Sequence, residues 1–326
     1  MSEFRPRTIL VYSNGDTFGD ALIKIPALQA LRATWPDSHI TWLAGRGHSL
    51  YTDTFAYSVT HCIDEILDDA GIGEHWTELL RRPLPDRRFD LIIDTQQFIK
   101  TTLIVRRIRH VHFVSGAFSF RLSDRRPAGG GRPRGMLERI LQLISLAAGH
   151  TVAPIYGIRV PAEHIAEAAR LLPDGARYVG FAPGAGQPWK CWPLNRFVDV
   201  ATACVAQGLV PVFFLGPQER AWQHSLVQAL PNARFPELVT PGPYLTMALG
   251  QRLAASVCND SGTGHMLASA ARPLVTLYGR TDPDKFRPNT PHHFPVCARD
   301  HGGSGMDAIP VAAVTAALEC ALQITI

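Results

Sequence analysis

The sequence is poor in lysine and cysteine, and it has no long uninterrupted apolar segment. Only Lys24, Lys100, Lys190 and Lys285 are lysines among 32 basic residues. The six cysteines form no CxxC pair, which argues against a zinc site or a disulfide framework and favours reduced packing residues. No stretch approaches the ~20 apolar residues that span a bilayer, and the N-terminus has no signal-peptide pattern. We therefore expect a cytoplasmic protein, and any membrane role would be peripheral, at the inner-membrane surface.

The composition is that of a globular protein with more than one domain. The chain has 326 residues, of which 46% are hydrophobic and 18% are charged, and this length favours two domains of ~150 residues each. The formal net charge of +4 does not by itself indicate a nucleic-acid partner, and none is predicted. The preference for arginine has two interpretations: bidentate binding of phosphate or carboxylate groups, or the base composition of the genome.

Short apolar runs alternate with helical patterns along the whole chain. Continuous apolar strands separated by helices are typical of parallel sheets covered on both faces, so we predict a doubly wound α/β fold, formed twice. Prolines and a glycine interrupt the pattern between His150 and Ala162, which gives domains of residues 1–155 and 156–326. The predicted strands are Ile9–Ser13, Ile40–Ala44, Leu91–Thr95, Val111–Ser115, Tyr178–Ala182, Val210–Leu215, Ser256–Asn259 and Leu274–Tyr278.

The first strand leads into a glycine-containing loop that matches neither common nucleotide-binding motif. The segment Asn14–Asp20 is not GxGxxG, and it lacks the P-loop lysine. It leaves the carboxylate of Asp20 at the carboxyl end of the strand, where ligands bind in such sheets. Asp20 is either a helix cap or a functional carboxylate, and Asp16 competes for the second role. In the following helix, Ala21–Ala33, Pro26 predicts a kink or the true helix start.

Residues 257–268 read as a buried strand, a polar turn with two glycines and an apolar helix. Such a turn directs backbone N–H groups and a helix N-terminus at one point, where the partial positive charge suits a phosphate. Ser261, Thr263 and His265 add side-chain donors there. We therefore predict that a phosphorylated or nucleotide ligand binds at this strand-to-helix turn.

Two further segments of the second half carry candidate ligand-binding residues. A glycine turn, Gly184-Ala185-Gly186, follows a strand, and Lys190 lies beyond it between two tryptophans. This lysine would neutralise phosphate charge, or it would lie on the aromatic rings as a surface residue. Glu219 follows the strand Val210–Leu215. It would accept hydrogen bonds from ribose hydroxyls, or it would begin the next helix.

The segment Ser123–Gly135 combines prolines, three consecutive glycines and a cluster of arginines. It is interpreted either as a solvated surface loop or as a mobile basic loop that meets an anionic acceptor. The arginines in question are Arg125, Arg126, Arg132 and Arg134.

Asp282-Pro283-Asp284 has the D-x-D pattern that holds a divalent metal in some sugar-nucleotide enzymes. Its glycine- and proline-rich surroundings favour a turn instead. His292 and His293 are adjacent, so they point to opposite sides of an extended chain and form a poor ligand pair. No metal site is predicted.

Taken together, these residues resemble the heptosyltransferase family, glycosyltransferase family 9. The resemblance covers nearly the whole chain, and each motif is weak alone, whereas the ordered set at the family's spacing is specific. The motifs are Gly19-Asp20 with Pro26-Ala27-Leu28; Pro183-Gly184-Ala185 with Lys190 and Trp192-Pro193; Gly216-Pro217 with Glu219; Asn259-Asp260-Ser261-Gly262 with His265; Tyr278-Gly279 with Thr281-Asp282-Pro283; and Met306-Asp307-Ala308-Ile309.

The resemblance implies the GT-B fold, two Rossmann-like domains that face each other across a cleft. It places the acceptor site in the N-terminal domain and the donor site in the C-terminal domain, with the last helix often packing back on the first domain. It implies metal-independent, inverting transfer of a sugar, heptose by family default, from ADP-heptose or another nucleoside-diphosphate sugar. The acceptor would be a hydroxyl of an anionic glycan or glycolipid such as the lipopolysaccharide core, and no separate cofactor is expected.

Family roles carry over to individual positions of this sequence. Asp20 matches the catalytic base, Lys190 matches the lysine that faces the donor phosphates, and Glu219 matches the acidic residue near the ribose. The residues that match the donor-binding turn are Asp260, Ser261, Gly262, Thr263, Gly264 and His265, with Gly184, Ala185 and Gly186 in the preceding glycine turn.

Three positions depart from the family pattern. Gly186 stands where the family often has serine or threonine, Arg280 stands where it usually has proline, and the loop Asn14–Phe18 replaces a short aliphatic version. Two other functions stay open at this point: a non-catalytic protein that binds sugar nucleotides or glycans, and a GT-B sugar-nucleotide epimerase. The missing GxGxxG motif disfavours a nicotinamide dehydrogenase.

Overall fold

Strands of the described residues assemble into two five-stranded sheets in which the paired neighbours run parallel. The computed structural model describes residues 4–129, 131–236, 242–285 and 287–324. The chain divides into two compact units, Met1–Ile155 and Tyr156–Ile326. Each unit contains one of the sheets and is described by itself.

The first sheet has the strand order β3-β2-β1-β4-β5, which places the first strand in its centre. Its strands are β1 Thr8–Ser13, β2 His39–Ala44, β3 Glu65–Leu67, β4 Arg88–Asp94 and β5 Arg109–Ser115. The α-helices of this unit are α1 Phe18–Thr34, α2 Ala56–Val59, α3 Ile99–Val105 and α4 Met136–Ala148, and a 3₁₀ helix spans Trp76–Leu80.

The central strand explains why this sheet forms. Ile9, in β1, aligns with Ile40 of β2 on one side and with Leu91 of β4 on the other. All three side chains are fully buried, as expected for a parallel sheet with helices on both faces. The sheet's carboxyl edge, where β1 and β4 end, therefore collects the polar residues that follow these strands.

The second sheet has the order β10-β9-β8-β6-β7. Its strands are β6 Tyr178–Ala182, β7 Val210–Phe213, β8 Leu253–Asn259, β9 Leu274–Tyr278 and β10 His293–Cys297. The α-helices are α5 Ala162–Leu171, α6 Leu194–Ala206, α7 Gln223–Ala229, α8 Pro243–Gly250, α9 Gly262–Ala268 and α10 Val311–Leu322. Further 3₁₀ helices span Pro188–Lys190, Arg220–Trp222, Ala298–His301 and Met306–Ala308.

The last helix belongs to the core of the second unit. Val314 and Leu318 of α10 are buried in the same apolar cluster as Phe181 of β6 and Val257 of β8. The family resemblance suggests a last helix that packs back on the first domain. Here the helical spacing of its apolar residues places one face of the helix on the second sheet, and the contact with the first domain stays a prediction.

The sequence analysis did not predict two of the strands, β3 and β10, and both lie at a sheet edge. β3 has only three residues, all half-buried, so it shows no apolar run. β10 contains Pro295, which is tolerated at a sheet edge but argues against a strand when read from sequence. The helix start at Pro26 is also wrong, because α1 begins at Phe18 and runs through the proline.

Of the helices within the described ranges, none combines the length and hydrophobicity that a membrane span requires.

Candidate functional site

Asp20 lies in the first turn of α1, on the wall of a cavity in the first unit. Thr17 is the N-cap of this helix, and its Oγ1 accepts a hydrogen bond from the backbone N of Asp20 at 3.4 Å. The interpretation of Asp20 as the helix cap is therefore wrong, and its carboxylate is left to the cavity, whose volume is about 340 Å³. The cavity is lined by Asn14, Gly15, Asp20, Lys24, Thr95, Gln96, Gln97, Phe98, Met136, Arg139 and Ile140.

Asp16, the competing carboxylate, has a fully buried side chain. It forms an ion pair with Lys24, whose Nζ also donates to Ser13 Oγ at 2.8 Å. Burial raises the pKa of Asp16 above its ordinary value, against the opposing effect of the Lys24 charge. A carboxylate without solvent access cannot take a proton from a ligand, so Asp16 holds the loop while Asp20 faces the cavity.

One arginine lines the Asp20 cavity and a second lies beside it. Arg139 lines the cavity, and both Arg139 and Arg132 line an adjoining cleft that also contains Gln96 and Gly116. Arg139 is half-buried and Arg132 is exposed. Partial desolvation lowers the pKa of both guanidinium groups, and the charge of Arg139 lowers that of Arg132 further. Neither forms an ion pair with a described residue. An anion bound between them would relieve this repulsion.

The other arginines of the predicted basic loop are not at this cavity. Arg125 donates to the carbonyl oxygens of Leu146 and Ala147 at 3.2 and 2.8 Å, where a cation stabilises the C-terminal end of α4. Arg126 donates to the carbonyl of Arg121 at 3.4 Å, and Arg134 is exposed. Of the four arginines, the structure brings Arg132 alone to the cleft.

In the second unit, the predicted phosphate-binding turn joins β8 to α9. Ser261 is the N-cap of α9, and its Oγ accepts a hydrogen bond from the N of Gly264 at 3.3 Å. As at any helix start, the N–H groups of Gly262 and Thr263 have no acceptor within the helix. A Cβ at Gly264 would lie 2.8 Å from Cys258 Sγ, whereas one at Gly262 would meet nothing within 4 Å. The turn is therefore packed against β8 on one side and open on the other.

Lys190 reaches this turn from the segment after β6. Its Nζ lies 2.8 Å from Asp260 Oδ2, with the Asp260 side chain almost fully buried. The same Nζ lies 5.5 Å from the ring centroid of Trp189, so the surface-lysine interpretation accounts for only part of its contacts. The ion pair holds a cation beside the open N–H groups of α9, an arrangement that suits a diphosphate.

Asn259 joins the two segments that form this site. Its Nδ2 donates to the carbonyl of Pro183 at 2.7 Å, and its Oδ1 accepts from the backbone N of Trp192 at 3.1 Å. The side chain is fully buried. One amide therefore fixes both the start of the glycine turn and the residues after Lys190 relative to β8.

The carboxylate of Glu219 lies directly against the glycine turn. A Cβ at Gly184 would come within 2.5 Å of Glu219 Cδ, and one at Gly216 within 2.7 Å of Oε2. Glu219 is 8% exposed, and it precedes the 3₁₀ helix Arg220–Trp222 without a side-chain capping bond. A side chain at either glycine would therefore displace the Glu219 carboxylate from its position, whereas Gly186 is exposed.

His265 lies deeper than the sequence suggests, because its side chain is buried in α9. Burial lowers the pKa of the neighbouring His293 to about 3, and the charges of Arg287 and His265 contribute in the same direction. In the D-x-D segment, the backbone N of Asp284 donates to Asp282 Oδ1 at 3.0 Å, as in a turn. No group of three or more potential metal ligands occurs among the described residues.

The sequence interpretation missed Asn259 and Arg139 as site residues. Asn259 stands in the matched motif, but its cross-links depend on Pro183 and Trp192, which are distant in sequence. Arg139 lies inside a helix that reads as ordinary packing. No local pattern marks either residue, since each acts through tertiary contacts.

Comparisons with known proteins identify the family of this chain. The family model described as Glycosyltransferase family 9 (heptosyltransferase) matches residues 78–303. Lipopolysaccharide heptosyltransferase 1 of Escherichia coli O18:K1:H7 is 21% identical over 288 residues, which cover 82% of this chain and 84% of the relative.

Solved structures match the whole fold. A glycosyltransferase family 9 protein of Veillonella parvula DSM 2008 has a TM-score of 0.74 at 21% identity, covering 98% of both chains. An Escherichia coli heptosyltransferase with ADP-2-deoxy-2-fluoro heptose has a TM-score of 0.65 at 19% identity, covering 96% of this chain and 99% of that one. These likenesses confirm the predicted GT-B fold. The chain belongs to the heptosyltransferase family, glycosyltransferase family 9, and is a glycosyltransferase.

Proposed function

We propose that the enzyme transfers heptose from ADP-heptose to a hydroxyl of a lipopolysaccharide core acceptor, with inversion and without a metal ion. The relative from Escherichia coli is named a lipopolysaccharide heptosyltransferase, and a structural neighbour was solved with an ADP-heptose analogue. The observation that carries the proposal is the cation of Lys190 held by Asp260 beside the open N-terminus of α9. Metal independence and inversion follow from the family resemblance.

In this proposal the diphosphate of the donor binds at the turn of the second unit. The N–H groups of Gly262 and Thr263 and the ammonium of Lys190 donate to its oxygens. Their positive charge stabilises the negative charge that develops on the departing ADP, and fixed groups do so without reorganisation. Glu219 accepts hydrogen bonds from the ribose hydroxyls.

Asp20 of the first unit is the proposed general base. Its carboxylate takes the proton of the acceptor hydroxyl as that oxygen bonds to the anomeric carbon of the heptose. The bond between the anomeric carbon and the diphosphate oxygen breaks in the same step, and its electron pair leaves with ADP. Positioned proton transfer of this kind contributes ~10²–10⁴-fold to rate.

The acceptor is proposed to carry an acidic group that Arg132 and Arg139 bind. Arg139 lines the cavity that contains Asp20, and Arg132 lines the adjoining cleft together with Arg139. Partial desolvation and the charge of Arg139 lower the pKa of Arg132. Guanidinium groups bind carboxylates and phosphates in bidentate fashion. An acidic substituent there would direct a neighbouring hydroxyl towards Asp20.

Replacement of the two competing carboxylates tests the assignment of the base. Asp20→Asn should lower kcat by ~10²–10⁴-fold with little change in the KM for donor. Asp16→Asn should lower stability, because it leaves Lys24 buried without its partner, but should keep kcat within about tenfold. The exposed Asp37→Asn serves as the control. A folded Asp20→Asn enzyme with the wild-type rate would refute the assignment.

Chelation tests the metal-free scheme. We expect excess EDTA to leave the rate unchanged. Complete loss of activity that Mg²⁺ restores would show that the reaction needs a metal ion.

A further inference from the structure

A second, larger cavity of the first unit adjoins the one that contains Asp20. Its volume is about 820 Å³, and it shares Asn14, Gln97 and Phe98 with the Asp20 cavity. Both open at the carboxyl edge of the first sheet, where ligands of such sheets bind. The mechanism above makes no use of this larger cavity. A ligand of several linked units that is bound in the Asp20 cavity would nevertheless extend into it.

Two exposed aromatic side chains form part of its wall. Trp76 is 60% exposed, and Phe98 is 66% exposed. Rings of this size usually contribute to a core, because burial of their area is favourable. Exposed apolar surface that lines a cavity marks a binding surface.

The loop that presents Trp76 is fixed in place. The carboxylate of Glu78 accepts hydrogen bonds from the backbone N of Gly73, Glu74 and His75 at 2.7, 2.8 and 2.5 Å. One side chain thus satisfies three successive N–H groups immediately before the tryptophan. The indole is therefore presented by an ordered backbone, which reduces the entropy lost when a ligand binds.

Helix α3 holds the same loop from the other side. Thr101 Oγ1 donates to the carbonyl of Gly73 at 3.0 Å, and Lys100 Nζ donates to the carbonyl of Glu74. Phe98 is the N-cap residue of this helix. The two exposed rings consequently belong to segments that are bonded to each other, so their spacing is set by the fold.

The remaining wall of the cavity is mixed, because the exposed apolar side chain of Ile99 and several polar side chains line it. Arg46, Glu74 and His75 are among these polar residues, and the guanidinium Nε of Arg46 is 3.5 Å from Glu74 Oε1. A pyranose ring has an apolar face of C–H groups and a rim of hydroxyls that both donate and accept. Aromatic rings next to a mixed set of donors and acceptors match this surface, whereas a lipid chain would match only the rings.

We propose that this larger cavity binds the sugar unit next to the accepting residue, stacked on Trp76 and Phe98. The inference rests on the glycosyltransferase function proposed above and extends it, because the acceptor is then an oligosaccharide. The accepting sugar lies at Asp20, its acidic group at Arg132 and Arg139, and the neighbouring sugar on the aromatic wall.

Binding of an acceptor oligosaccharide tests this inference without any turnover. The probe is a delipidated, heptose-free inner-core oligosaccharide of lipopolysaccharide, titrated by calorimetry into wild type and variants. Trp76→Ala should weaken binding about tenfold, as expected for loss of one aromatic stacking partner. Leu80→Ala is the matched control, since Leu80 is exposed on the same 3₁₀ helix but does not line the cavity. The isolated terminal sugar should bind wild type and Trp76→Ala equally.

The outcomes separate the two proposals. Arg139→Gln tests the acceptor site of the proposed function, and it should weaken binding of both probes. Weakening by Arg139→Gln but not by Trp76→Ala would overturn the inference alone. Equal losses for Trp76→Ala with the oligosaccharide and the single sugar would also overturn it. No binding of either probe to the wild-type protein would contradict the lipopolysaccharide acceptor of the proposed function.

Discussion

Gly186 is one of the positions at which this chain departs from the family pattern, and it lies in the proposed donor site. The family often has serine or threonine there, whereas Gly184 in the same turn fits the pattern. The structure separates the two glycines by their surroundings. A Cβ at Gly184 would clash with Glu219 at 2.5 Å, while one at Gly186 would meet nothing within 4 Å, and the φ of Gly186 is not in the left-handed region. A side chain at position 184 would thus displace the Glu219 carboxylate, whereas one at position 186 would displace nothing.

Gly186→Ser should therefore restore a hydroxyl contact to the donor at no cost in strain. One added hydrogen bond contributes ~0.5–1.5 kcal/mol, so the KM for the donor should fall by about two- to tenfold with kcat unchanged. Steady-state kinetics at saturating acceptor measure this. Gly184→Ser is the matched control and should weaken donor binding through its clash with Glu219. An increase in KM for Gly186→Ser would mean that the donor approaches this position too closely for a side chain.

At the scale of the elements, continuous apolar runs predicted the central strands of both sheets. β1, β2, β8 and β9 are almost entirely buried, so their sequences show the signal directly. β3 and β10 were missed because β3 has only three residues and β10 is interrupted by Pro295, so their pairing depends on a neighbour that is already formed. The local sequence shows which strands are continuously apolar, but it does not show which segments pair with a neighbouring strand.

Asp94, at the end of β4, is a buried carboxylate whose hydrogen bonds cannot be read from the apolar pattern of the strand. It is fully buried, and its Oδ2 accepts hydrogen bonds from Thr102 of α3 at 2.5 Å and from Ser115 of β5 at 2.9 Å. Its Oδ1 accepts from the backbone N of Gln96 at 2.9 Å, which holds the turn that lines the Asp20 cavity. Burial raises its pKa to about 6, although these hydrogen bonds oppose the shift.

This raised pKa makes Asp94 a source of pH-dependent stability. The native state binds the proton more tightly than the unfolded state, so the contribution is fully present below the ordinary pKa of 3.8 and is lost as pH rises through about 6. Ionised Asp94 then costs about 3 kcal/mol at neutral pH. Asp94→Asn should gain stability relative to wild type by about 2 kcal/mol between pH 4 and pH 7.

Urea unfolding of both proteins at the two pH values measures this difference. Asp37→Asn, at an exposed position, should show no such change. If the stability difference between wild type and Asp94→Asn is the same at both pH values, Asp94 does not titrate in this range in the folded protein.

At the scale of the whole molecule, the sequence indicates candidate residues of a contiguous turn better than those of a cavity assembled from several segments. The proposed donor turn is contiguous, so Asp260–His265 could be selected from its local pattern. The proposed acceptor region is not contiguous, since Asn14, Arg46, Gly73 and Phe98 line one cavity from four separate segments. Only the parallel arrangement of the strands brings their carboxyl ends to one edge, and no local pattern contains that information.

The stabilisation of the folded protein by a bound nucleotide sugar shows which donor it binds. This measurement needs no acceptor. At 100 times its dissociation constant a ligand that binds only the native state adds ~2.7 kcal/mol to the free energy of unfolding, which raises Tm by about 5 °C or more for units of this size. ADP-linked heptose should give this shift, and UDP- and GDP-linked sugars should give less. Lys190→Ala should abolish it, because the diphosphate loses its cation, whereas Asp20→Asn should preserve it. A larger shift with a UDP- or GDP-linked sugar would refute ADP-heptose as the donor, and an undiminished shift in Lys190→Ala would place the diphosphate away from α9.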